Sequence, residues 1–97
     1  MEQGDIILCV DDDSTVLNAL RSVFAKHFGS ELQFEFAESG DEALEIAEDI
    51  RGQGRELGLV ITDFMMPGMK GDEFLVRLHE QSPNTVKIMK LPACSFT

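Results

Sequence analysis

The sequence predicts an α/β fold with a parallel sheet covered by helices on both faces, and three observations predict it. Short apolar runs alternate along the chain with segments in which apolar residues recur at helical spacing. Two of the runs, Ile6-Ile7-Leu8-Cys9-Val10 and Leu57 to Thr62, are nearly continuously apolar, as strands buried on both sides are. Both stop on acid: the first runs into Asp11-Asp12-Asp13 and the second into Asp63. The carboxyl ends of strands in an open parallel sheet border the crevice where ligands bind, so these aspartates are expected to converge.

Each element follows from local chemistry. After the first strand, Asp13 or Ser14 is placed to cap a helix whose apolar positions are Val16, Leu17, Leu20, Val23, Phe24 and Phe28, with Gly29 as its C-terminal cap. Leu32 to Phe36 alternates apolar and polar residues and reads as a half-exposed edge strand. Ser39-Gly40-Asp41-Glu42 is a capping box opening a second helix with Ala43, Leu44, Ile46, Ala47 and Ile50 on its apolar face. Arg51 to Glu56 forms a loop before the strand at Leu57 to Thr62. Phe64 to Gly71 contains a Pro67-Gly68 turn, and a third helix begins near Asp72 and packs Phe74, Leu75 and Leu78. Ser82-Pro83-Asn84 ends it, and Val86 to Met89 is a fourth strand. The order βαβαβαβ requires right-handed crossovers.

Size and charge narrow the function. A chain of 97 residues is a single domain, 1–97, with one modest core. Eighteen acidic against eight basic residues give a net charge of -10, which disfavours direct contact with nucleic acid or an anionic membrane and favours a cation or a basic partner surface. Cys9 and Cys94 belong to no CxxC or Cys/His cluster and read as reduced thiols. No signal peptide and no apolar stretch of about 18 residues is present, so a cytoplasmic protein without a membrane anchor is expected.

Three close carboxylates, Asp11, Asp12 and Asp63, would raise one another's pKa unless a divalent ion screened them. An all-oxygen donor set suits magnesium. A carboxylate beside that metal can attack a phosphoryl group in line. Asp63 stands alone before a loop with the small residues Gly68 and Gly71, which suits a nucleophile, whereas adjacent Asp11 and Asp12 suit metal holding. The plain structural reading, in which each aspartate only caps a helix or marks a turn, fits any one of them better than it fits the combination.

Val10-Asp11-Asp12-Asp13 after a first strand, Asp63 after the third, and Met66-Pro67-Gly68-Met69-Lys70-Gly71 downstream resemble the receiver domain of bacterial response regulators, from about Ile6 to Met89. The resemblance implies a flavodoxin-like (CheY-like) sheet of strand order 2-1-3-4. It implies transfer of a phosphoryl group to Asp63 from a histidine kinase or phosphotransfer protein. It further implies Asp12 as direct Mg2+ ligand, Asp11 as ligand through water, and the backbone carbonyl of Met65 as a third protein ligand. Asp13 would open the first helix. Such a domain is not an enzyme beyond self-phosphorylation and slow autodephosphorylation.

The resemblance stops after the fourth strand. Receivers continue with a hydroxyl residue, a helix, a lysine-bearing fifth strand and a last helix, whereas here the hydroxyl position falls near Leu91 and 91–97 is an atypical tail. Lys70, Lys87 and Lys90 do not match the active-site lysine by position, and Ser95 or Thr97 would replace the hydroxyl only after a shift. The incomplete sheet leads to an expectation of self-association. Two alternatives remain: a receiver remnant acting as a non-phosphorylated interaction or dimerisation module, and a haloacid-dehalogenase-like phosphatase fragment, suggested by Asp11-Asp12-Asp13-Ser14-Thr15. The latter lacks its later lysine and acidic motif. An EF-hand fails because Val16 and Ser22 stand where Gly and Glu are required. His27 and His79 read as surface residues, and Met65, Met66 and Met69 as loop packing.

Overall fold

The computed structural model describes residues 5–91. Strands β1 (Ile6–Val10), β2 (Gln33–Ala37), β3 (Leu57–Asp63) and β4 (Val86–Lys90) alternate with helices α1 (Ser14–Phe28), α2 (Gly40–Gly52) and α3 (Gly71–Gln81). All strands are parallel and the order is β2-β1-β3-β4, so the expected sheet is present. The strands at Leu57 and Val86 each run one residue past their expected ends, to Asp63 and Lys90. The tail from 92 onward, with Cys94, Ser95 and Thr97, lies outside the described residues.

The caps sit where the sequence predicts, though the Glu42 carboxylate reaches one residue beyond the N-cap. The Asp13 carboxylate accepts from the Thr15 N–H at 2.9 Å, and in the capping box Ser39 Oγ accepts from Glu42 N–H while Glu42 accepts from Glu38 N–H. Pro67-Gly68 turns with Gly68 at φ 78°, a conformation open to glycine at no steric cost.

One sheet face carries the core. Ile6, Leu8, Val10, Leu57 and Val60 pack with Ala43, Ala47 and Ile50 of α2 and Phe74 and Leu78 of α3. On the other face α1 is the only helix among the described residues. Its Phe24 stacks on Phe34 of β2 with centroids 4.5 Å apart, and Arg21 lies over the Phe36 ring at 4.2 Å. The stripe predicted for α1 is only half used: Leu17 is buried, whereas Val23 and Phe28 are exposed. Toward β4 this face is open, with Val86 and Ile88 60% and 49% exposed.

Candidate functional site

β1 and β3 are direct neighbours, in register from Ile7↔Leu59 to Val10↔Thr62. That pairing carries Asp63, the last residue of β3, level with the start of the loop that leaves β1. Ligand oxygens of Asp11, Asp12 and Asp63 consequently lie within 4.8 Å of one another. The three residues differ in setting: Asp11 is buried, Asp63 half-buried and Asp12 exposed. Asp11 is also held from two directions, for its backbone N–H donates to Ala37 O at 3.0 Å and its Oδ1 accepts from Asp13 N–H at 3.0 Å. The sharp departure of the chain from β1 is thus pinned by the carboxylate that heads it.

The loop after Asp63 is shaped by close packing. Gly71 N–H donates to Phe64 O at 3.0 Å, and a Cβ on Gly71 would collide with the Asp63 carbonyl oxygen and lie 2.9 Å from Phe64 Cα. Only a glycine lets α3 begin against the end of β3. Met66 is buried and Met69 half-buried beside Gly40, as loop packing predicts. Met65 departs from that expectation, because it is 49% exposed.

Lys90 is the residue that sequence reasoning excluded. β4 pairs with β3 through Asp63↔Lys90, and Phe64 N–H donates to Lys90 O at 3.0 Å. The Lys90 ammonium reaches across to Asp11, with Nζ 3.6 Å from Oδ2. Sequence position set Lys90 aside as the expected active-site lysine, but one residue of pairing beyond the expected strand end at Met89 sets it beside the nucleophile candidate. Lys70 instead donates to Met66 O, and Lys87 to the carbonyls of Ser82 and Thr85. Next to the acids, Cys9, Val16, Leu20, Ile61 and Thr62 line a recess of about 140 Å³ that Asp11, Asp63 and Lys90 close at its polar end. Burial pushes the Cys9 thiol up to about 11. Both histidines are exposed, as expected of surface residues.

The sequence matches the response regulator receiver domain over residues 7–93. The chain belongs to this family. Solved structures agree on the fold. A structure described as adenylate cyclase from Rhodopirellula baltica is 31% identical with TM-score 0.75, covering 89% of this chain and 58% of that one. The signal receiver domain of an HD domain-containing protein from Pseudomonas fluorescens Pf-5 is 26% identical with TM-score 0.77, and a CheY-like receiver domain protein from Methanospirillum hungatei JF-1 is 26% identical with TM-score 0.78. Each covers 98% of this chain and 69% of its own length. A comparison with curated proteins gave no match. The receiver domain described here thus spans 58% of the first of these structures.

Proposed function

We propose that this receiver domain accepts a phosphoryl group on Asp63, with Mg2+ held by Asp11, Asp12, Asp63 and the backbone carbonyl of Met65. The observation that carries the reading is the convergence of three carboxylates from two strand ends within 4.8 Å. The donors are all hard oxygens, and a cation already stands among them in the form of the Lys90 ammonium, so the set fits a divalent ion. When bound, such an ion neutralises charge on the transferring oxygens.

The chain's own residues do the rest. Asp12, exposed at the rim, is suited to direct ligation, whereas buried Asp11, whose two oxygens already face the Asp13 N–H and Lys90, is suited to holding a bridging water. Asp63 Oδ attacks the phosphorus of a phosphohistidine in line; a P–O bond forms, the P–N bond breaks, and the histidine nitrogen keeps the electron pair and takes a proton from solvent. The donor is a histidine kinase or phosphotransfer protein, and the net charge of -10 suits a basic docking surface rather than nucleic acid. Among the described residues no helix is long and apolar enough to cross a membrane, which is compatible with a cytoplasmic site of action.

Intact mass after treatment with acetyl phosphate and Mg2+ tests the assignment. One phosphoryl adduct in the wild type, abolished in Asp63→Asn, is the expected result; an adduct that survives the substitution moves the nucleophile elsewhere. No adduct in the wild type favours the interaction-module reading. Self-association is a separate part of the proposal, supported by Val86 and Ile88 exposed on β4, an edge strand among the described residues. Sedimentation at micromolar concentration should give a dimer that Ile88→Lys dissociates, and a wild-type monomer refutes it.

A further inference from the structure

We infer that Lys90 is a tethered cation that competes with the divalent ion for Asp11 and so sets how tightly the acidic site holds metal. The inference rests on the reading of Asp11, Asp12 and Asp63 as a metal site and adds a residue that sequence position had excluded.

Three observations converge. Lys90 Nζ lies 3.6 Å from Asp11 Oδ2, and within the described residues this is the one ion pair made by the acidic trio. The backbone beneath that side chain is fixed, because Lys90 is paired with Asp63 in the ladder and its carbonyl accepts from Phe64 N–H. The ammonium therefore starts from a rigid strand end beside the nucleophile candidate. Finally, the two partners are unlike in exposure: the Lys90 side chain is 58% exposed and that of Asp11 only 7%. The lysine can swing into solvent, whereas the aspartate cannot follow it.

Electrostatics then dictates an exchange. Without metal, the ammonium screens a buried carboxylate that has two carboxylate neighbours, and this lowers the repulsion among them. A divalent ion entering the same cluster meets a positive charge already beside Asp11, so loading requires Lys90 to leave that oxygen or to sit against like charge. Since the lysine is largely solvated, the penalty is modest, about threefold to fivefold in affinity. Removing the charge should accordingly tighten metal binding, the reverse of what removing an acidic ligand does.

The test is Mn2+ binding followed by electron paramagnetic resonance on the wild type, Lys90→Gln, Lys90→Arg and Asp12→Asn. Lys90→Gln is expected to bind at least threefold more tightly, Lys90→Arg to stay within twofold of the wild type, and Asp12→Asn to lose binding. A second readout is the thermal midpoint: without divalent ion Lys90→Gln should melt below the wild type, and saturating Mg2+ should raise it by more. If Asp12→Asn abolishes binding but Lys90→Gln binds equally or more weakly than the wild type, the competition is refuted while the site stands. If no variant and no wild type binds Mn2+, the metal reading fails and the inference with it.

Discussion

At the scale of single residues, the acidic site divides into what patterning reveals and what it hides. Asp11, Asp12 and Asp63 were legible because hydrophobic runs that end on acid mark strand ends, and strand ends in a parallel sheet share one edge. Lys90 was hidden because a lysine flanked by Met89 and Leu91 carries no periodic signal; only the extra step of β4 pairing places it. Cys9 offers a prediction of its own. It is 1% exposed, and burial raises its thiol from 9.0 to about 11. The fold binds this proton more tightly than the unfolded chain does, so the contribution to stability is complete below about pH 9 and is lost as pH rises toward about 11. The urea midpoint should fall across that window in the wild type, and Cys9→Ala should show a shallower fall.

Elements were legible wherever a local rule and the tertiary role agree. The Asp13 cap of α1 and the Ser39 half of the capping box are local hydrogen-bond chemistry and form as written, while the Glu42 carboxylate returns to the N–H of Glu38, one residue before the cap. The α1 stripe was misjudged at Val23 because helical periodicity reports which residues are apolar, not whether a partner covers them. Likewise β2 shows no clean in-and-out alternation, since aromatics of α1 cover Phe34 on one side and α2 lies on the other. At the junction of β3 with α3, Gly71 was read only as a small residue that suits a nucleophile at Asp63, yet it is a packing constraint. Gly71→Ala would press a methyl group into the Asp63 carbonyl and Phe64, and about 1–3 kcal/mol of stability should be lost in chemical denaturation. Because the displaced atoms belong to Asp63, the same variant should also slow acetyl phosphate labelling; an unaltered rate would show that the loop shifts without moving the carboxylate.

For the whole molecule, a net charge of -10 with three acids gathered at one edge makes the fold sensitive to cations. A ligand that binds only the folded state adds stability by mass action, about 2.7 kcal/mol at a hundredfold excess over Kd. Mg2+ should therefore raise the thermal midpoint well above the effect of NaCl at matched ionic strength, and Asp12→Asn should reduce the two salts to parity. The parallel α/β architecture was readable from the alternation of runs, whereas the strand order, with β1 and β3 at the centre, came from the resemblance to receiver domains and not from the pattern itself. How far the face beyond α1 stays open depends on what packs above it, and among the described residues only α1 does, leaving Val86 and Ile88 exposed.

The β1–β3 pairing has a kinetic meaning as well. Asp11 and Asp63 are joined along the chain by α1, β2 and α2, yet they meet because two strands lie side by side in one register. A slip of one residue would turn Asp63 to the opposite face and dismantle the trio. Contacts so distant in sequence close late in folding, after their loop entropy has been overcome. If the trio holds a divalent ion as proposed, that ion becomes a clock for the central pairing: during refolding, Mn2+ uptake should report the moment at which β3 docks in the correct register.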